Sequence, residues 1–193
     1  MNDADLNEKL KTIRLIAMDV DGVLTDGTLL LGTTAAGEAV ELKGFNVKDG
    51  LALGLARAVG LEIAWITGRV SAVVERRAAE LGVREVCQWA RNKHQALSAL
   101  SSRLGFTREQ VLYIGDDLND VPAFEAAGVT VSVSDAPAYI QVHADWVTTH
   151  PGGRGAVREV VERVLQAQNR WDEAVEGFLA RLREEQEQGP TEQ

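Results

Sequence analysis

Short apolar runs rich in β-branched residues alternate along this chain with longer stretches of helical periodicity, and that alternation limits the fold more than any other feature. The runs cover residues 13–20, 62–66, 83–89, 111–114 and 129–133, with a short sixth at 145–148. Between them the spacing of apolar residues predicts helices over 51–59, 70–81, 92–104, a short one through Ala127, and a long one over 155–183. Gly60, Gly82 and Gly105 fall where three of these helices should stop, and Asp49 stands where the first would be capped. Residues 1–11 read as a short polar helix or arm. Strands alternating with helices build a parallel sheet with helices on both faces. Residues 28–43 interrupt the pattern with two short strand-like runs around small residues, a β-hairpin inserted after the first strand. Residues 1–183 read as one domain, and the polar stretch 184–193, which contains Gly189-Pro190, is expected to fray.

In such sheets ligands bind beyond the carboxyl ends of the strands. The polar residues of interest fall at those ends. The first strand stops at Asp19-Val20-Asp21-Gly22. Two carboxylates this close repel, and each costs free energy to desolvate, so a divalent metal or a shared proton is expected there. Thr67-Gly68-Arg69 ends the next strand, Asn92-Lys93 opens a helix, and Gly115-Asp116-Asp117-Leu118-Asn119-Asp120 follows the strand at 111–114. Any one of these alone would pass as a turn or a helix cap. Reactive residues on four such ends are poorly explained that way.

Composition narrows the partners. The 193 residues are 45% apolar and 25% charged, ordinary for a soluble globular protein, with a formal net charge of −9. That charge opposes a nucleic-acid surface, and it means that an anionic substrate needs a local positive site. The acidic, polar N-terminus does not read as a signal peptide, and no apolar run approaches membrane-spanning length. The single Cys87 fits a small hydrophobe in a reducing cytoplasm.

The four motifs, in order, resemble those of the haloacid dehalogenase superfamily. The resemblance covers about residues 13–135 and implies aspartyl-phosphate chemistry on a Rossmann-like sheet. Carried onto this chain, it makes Asp19 the nucleophile and Asp21 the general acid and base, an aspartate there favouring a phosphatase or mutase. Mg²⁺ would be held by Asp19, the Asp21 main-chain carbonyl and Asp116, with Asp117 or Asp120 orienting its waters. Thr67 and Gly68 would bind the phosphoryl oxygens, and Lys93 would offset the negative charge.

Between Asp19 and Thr67 there is room only for the hairpin and one helix, and between Lys93 and Asp116 only for one helix and one strand. The fold is therefore expected to be capless, with a site left open unless a second copy closes it. At finer grain the chain resembles the 3-deoxy-D-manno-octulosonate 8-phosphate phosphatases. The residues that carry this are Asp19 to Gly27, Phe45-Asn46-Val47-Lys48-Asp49-Gly50, Ile66 to Arg69 and Gly152 to Glu159. The resemblance implies a cytoplasmic Mg²⁺-dependent homotetramer with the hairpin at the interface. Its substrate would be an acidic sugar phosphate of lipopolysaccharide precursor synthesis. Arg69, Lys48 and Asn46 match positions expected to meet it. Lys48 stands where many relatives have arginine, and lysine cannot make the bidentate carboxylate contact. A phosphatase for a sialic-acid-type 9-phosphate shares every motif, and a non-catalytic oligomerisation module would have lost Asp21 or Asp116. Trp171 and Phe178, on an otherwise charged final helix, are expected to pack on the body or at a subunit contact.

Overall fold

A six-stranded, wholly parallel sheet carries the molecule, which is described from residue 2 to residue 187 by a computed structural model. In chain order the elements are α1 (Asp3–Leu10), β1 (Leu15–Met18), β2 (Leu30–Thr33), β3 (Ala39–Leu42), α2 (Val47–Ala58), β4 (Glu62–Ile66), α3 (Ala72–Glu80) and β5 (Glu85–Cys87). They continue with α4 (Lys93–Leu104), β6 (Val111–Gly115), α5 (Val121–Ala126), β7 (Val129–Ser132), α6 (Ala138–Gln141), β8 (Trp146–Val147), α7 (Ala156–Ala167) and α8 (Trp171–Glu187). The sheet order is β5-β4-β1-β6-β7-β8, and β2 and β3 form a separate antiparallel pair.

β1 is Leu-Ile-Ala-Met, buried at all four positions. It lies between β4 and β6, with Met18 opposite Trp65 on one side and Ile114 on the other. From β1 the chain steps outward through α2 to β4 and through α3 to β5, then crosses back through α4 to β6. Right-handed crossovers place helices of the outward leg on one face and those of the return leg on the other. The packing agrees: α2 contacts α7, which contacts α1, while α4 contacts α5. The strand order reverses between β1 and β6, which opens a crevice at their carboxyl ends. Asp19 follows β1 and Asp116 follows β6 at that crevice.

The fold class matches the expected α/β architecture with its hairpin, and no separate cap is present among the described residues. Three local expectations change. Helix α2 is capped by Asn46, whose Oδ1 accepts from Lys48 N at 2.8 Å, and not by Asp49. Asp49 is buried in the first turn and accepts from the Gly155 and Arg158 amides at 3.2 and 2.8 Å, so it caps α7 across the packing. The predicted helix over 155–183 is two helices. Asn169 takes a left-handed φ of 55°, the chain turns there, and Trp171 and Phe178 of α8 sit partly buried against the core. Residues 184–187, expected to fray, belong to α8, while 188–193 lie outside the described residues. Among the described residues no helix is long and apolar enough to cross a membrane.

Candidate active site

Asp19 leaves the centre of the sheet with its amide still in the ladder, donating to Ile114 O at 3.0 Å. The residue is 4% exposed. Oδ1 accepts from the Val20 amide at 2.7 Å, and Oδ2 lies 2.6 Å from Lys93 Nζ. Lys93 is the first residue of α4, where the helix dipole disfavours a cation. Two buried carboxylates outweigh that: Nζ also donates to Asp120 Oδ1 at 2.7 Å. Burial works to lower the Lys93 pKa, but Asp120 and Asp19 hold it above the ordinary lysine range.

Asp120 is fully buried and saturated. Oδ1 accepts from Lys93 and, at 2.8 Å, from the Tyr113 hydroxyl, and Oδ2 accepts from the Asp116 and Asp117 amides at 3.0 and 3.2 Å. It ties β6, the loop after it and α4 into one unit. Asp117 is exposed and caps the 3-10 turn Leu118–Asp120 through the Leu118 amide, so its carboxylate serves the loop.

Asp116 is different. Its Oδ1 is buried without a hydrogen-bond partner, as is Oδ2 of Asp21. Carboxylate oxygens of Asp19, Asp116 and Asp120 all lie within 4.8 Å of one another. Burial first, then the charge of Asp120, pushes Asp19 up to about 7 despite Lys93. Burial, Asp120 and Asp19 push Asp116 up to about 8. Orphaned buried oxygens on crowded carboxylates suit a hard divalent cation with oxygen ligands. Because Asp120 has no oxygen to spare, Asp19 and Asp116 are the members of this cluster left to hold a cation.

Backbone shape makes the crowding possible. Gly22 has φ +93°, and a Cβ there would stand 2.0 Å from Asp116 Oδ2. A Cβ on Gly152 would stand 1.7 Å from Gly22 O, so the loop before α7 closes directly on the Asp21-Gly22 turn. Gly153 N donates to Val23 O at 2.8 Å to hold it there.

Thr67, 2% exposed, follows β4, and its Oγ1 accepts from the Arg69 amide at 3.2 Å. Ala90 N donates to Thr67 O at 2.9 Å, which links this loop to the segment leading into Lys93. Arg69 is half exposed and lies 3.9 Å from Asp21 Oδ2. Asn46 and Lys48 instead line a wide cleft of about 1160 Å³ shared with His150, Arg154 and Arg158, which contains none of Asp19, Asp21, Asp116 and Asp120. Among the described residues no hydrogen bond or ion pair joins either of them to those carboxylates.

Two charged residues on the hairpin were not anticipated. Lys43 donates to Asp21 Oδ1, and Glu41 meets Lys43, Arg69 and Ser71. A cue was present: Glu41 and Lys43 are two apart, hence on one face of a strand, next to a leucine facing the other way.

Residues 64–160 match the family described as haloacid dehalogenase-like hydrolase. A 3-deoxy-D-manno-octulosonate 8-phosphate phosphatase from Escherichia coli strain K12 is 46% identical over 89% of this chain and 89% of its own. The chain belongs to the haloacid dehalogenase-like hydrolases. The corresponding phosphatase of Haemophilus influenzae is 40% identical, over 90% of this chain and 96% of its own. Among solved structures, the Moraxella catarrhalis phosphatase in complex with magnesium, phosphate and KDO aligns with a TM-score of 0.85. It shares 42% identity and covers 92% of this chain and 99% of its own. A cobalt-bound phosphatase from Haemophilus influenzae aligns at 0.80 with 40% identity, over 89% and 99% of the two chains.

The raised carboxylates of this hydrolase make metal binding pH-dependent. Asp19 and Asp116 titrate near 7 and 8 in the fold but near the usual carboxylate range when unfolded. The metal-free fold therefore binds more protons than the unfolded chain between those limits, and it loses stability as pH rises through them. A divalent cation removes the penalty by displacing the protons. The gain in melting temperature from Mg²⁺ is expected to grow between about pH 5.5 and about pH 8, with protons released on titration near neutrality. Melting curves with and without Mg²⁺, and calorimetry in buffers of different ionisation enthalpy, check this. A pH-independent gain with no proton release would refute it.

Proposed function

We propose that this chain hydrolyses 3-deoxy-D-manno-octulosonate 8-phosphate to the free sugar acid and phosphate, through an aspartyl-phosphate on Asp19, with Mg²⁺ as cofactor. The observation that carries the reading is Asp19 itself. It is a buried carboxylate at the end of the central strand, paired to a buried lysine, with unpartnered oxygens on Asp116 and Asp21 beside it. The substrate comes from the relatives, which carry that name at 40 to 46% identity over most of both chains. The family's motifs are intact here, including Asp21 and Asp116, which opposes a non-catalytic oligomerisation role.

Asp19, Asp116 and the Asp21 carbonyl would hold Mg²⁺, which when bound screens the repulsion between a carboxylate and an anionic phosphate. Asp19 attacks phosphorus and forms an acyl phosphate, which divides one difficult hydrolysis into two easier steps. Asp21 gives a proton to the departing sugar oxygen and then takes one from the attacking water. Lys93, held against Asp19 at 2.6 Å, orients the nucleophile and offsets charge. Thr67 and the Gly68 amide receive phosphoryl oxygens. Arg69, half exposed beside Asp21, is placed to meet the sugar acid's carboxylate. Asn46 and Lys48 lie in the neighbouring cleft, so a contact with substrate would have to be made from there.

The hairpin supports an oligomer. Leu30, Leu31 and Leu42 are 57, 72 and 58% exposed on a two-stranded sheet that has little stability by itself in water. Burying them between copies gives the homotetramer that the family resemblance implies, with a light-scattering mass four times the 20.9 kDa of one chain. A fully active monomer would end that reading. A single partly buried cysteine is consistent with a cytoplasmic location.

The deciding experiment is phosphate release from a panel of sugar phosphates with Mg²⁺. Octulosonate 8-phosphate is expected to be preferred over generic sugar phosphates by at least about 10²-fold in kcat/KM, since a site built for a charged group rejects analogues that lack it. Equal rates across the panel would sink the assignment, and a preference for a sialic-acid-type 9-phosphate would transfer it to that substrate.

A further inference from the structure

The side chain that meets the acid–base carboxylate comes from the hairpin. Lys43 directly follows β3, its side chain is 0% exposed, and its Nζ donates to Asp21 Oδ1. A lysine is rarely buried to that degree unless its charge is paired. Here two carboxylates face it, Asp21 and Glu41, the latter with Oε1 at 3.8 Å. Glu41 is itself fixed. It accepts from Arg69 Nη2 at 3.1 Å and from the Ser71 hydroxyl. Arg69 Nε closes the circuit 3.9 Å from Asp21 Oδ2, beyond hydrogen-bond distance. Two carboxylates and two cations thus alternate around a ring drawn from three separate segments: the turn after β1, the hairpin, and the loop after β4.

The ring treats the two oxygens of Asp21 differently. Oδ1 is bonded to Lys43, while Oδ2 is buried without a hydrogen-bond partner. An aspartate on a turn has rotational freedom about its side chain, and proton transfer requires one oxygen held within hydrogen-bond reach of the reacting atom. A buried oxygen without a partner is satisfied when a proton-sharing ligand oxygen arrives.

We propose that Lys43 is a positioning residue for the hydrolysis: it clamps Asp21 Oδ1 so that Oδ2 is the oxygen that exchanges a proton with the leaving group, with Glu41 holding Lys43 and Arg69 in place. The same hairpin that exposes leucines for assembly therefore also sets the geometry of the acid. This rests on Asp21 acting as the general acid.

The test uses leaving groups. A sugar or other alkyl phosphate releases a basic alkoxide that needs the proton, whereas p-nitrophenyl phosphate releases a stable anion. In the full-length enzyme with Mg²⁺, Lys43→Met is expected to slow the release of alcohol from the alkyl phosphate in a single turnover by about 10²-fold, the lower end of the range for positioned acid catalysis, and this step precedes the hydrolysis in which Asp21 serves as base. The single-turnover release of p-nitrophenol should slow by less than about tenfold and the alkyl KM should change little, because that leaving group needs no proton and substrate binding is untouched. Lys43→Arg keeps the charge but cannot reproduce a single-point contact in a closed slot, so it should give a smaller fall in the same alkyl-to-aryl ratio and serves if Lys43→Met does not fold. Equal losses on both substrates, or a wild-type ratio in whichever variant folds, would overturn the proposal. Asp21→Asn is the control. If it discriminates between leaving groups and the Lys43 variants do not, the clamp fails alone. If it strikes both substrates alike, the acid role of Asp21 fails and takes the clamp with it.

Discussion

An Asp19→Asn enzyme is expected to release no phosphate above background from any phosphomonoester, a loss of at least about 10⁴-fold, on the scale seen when the nucleophile of a covalent mechanism is removed. The amide has the shape of the carboxylate and keeps an oxygen to accept the Val20 amide. It has neither the charge nor the nucleophilicity to attack phosphorus. The fold should survive, because Lys93 retains Asp120 as a counter-ion at 2.7 Å and the buried lysine is not orphaned. Loss of activity without loss of stability therefore separates a chemical role from a structural one. The measurement pairs phosphate release with urea denaturation of the same protein. Turnover above about one per cent of wild type in a folded variant would remove Asp19 from the nucleophilic role.

Asp120→Ala is expected to do the reverse and strike the fold first. The substitution leaves a buried tyrosine hydroxyl and two amides without their acceptor, and leaves Lys93 with Asp19 as its remaining carboxylate. Each buried donor left without an acceptor costs about 1–3 kcal/mol. Typical domains have about 5–15 kcal/mol of stability in all, so the variant should be largely unfolded at moderate temperature or at low denaturant. Asp120→Asn keeps an acceptor oxygen for the amides but turns its NH2 toward Lys93 and Tyr113, and a loss smaller than that of Asp120→Ala is expected from it. A denaturant titration in which Asp120→Ala lies within about 1 kcal/mol of wild type would show that the hub contributes little.

These two aspartates differ in how far the sequence reveals them. Asp19 and Asp116 were legible as candidates because each directly follows a run with the signature of a buried strand, and strand ends of a parallel sheet converge at one crevice. Asp120 was legible as an acidic residue in the right loop, but its saturation by four donors depends on Tyr113 and on Lys93, which lies 27 positions away. Asn46 carries a further contact that the motif did not show. Its place in a motif suggested substrate, yet its side chain caps α2, and Asp49, read as that cap, reaches 106 positions along the chain to Gly155. The break at Asn169 was invisible because apolar spacing continues on both sides of it, while the turn depends on one left-handed residue.

By itself the sequence determined the order of strands and helices, the hairpin insertion, and which residues end each strand, since all of these rest on periodicity and on turn chemistry within a few residues. The tertiary structure alone decided which oxygens are free. Lys43 occupies one oxygen of Asp21, Asp120 is fully bonded, and Asp116 keeps an oxygen with no partner. Those outcomes are set by contacts between segments far apart in the chain and by glycines at 22 and 152 that let backbones approach where a single Cβ would collide. Local pattern specifies the elements. Only their packing brings the charges close enough to pair.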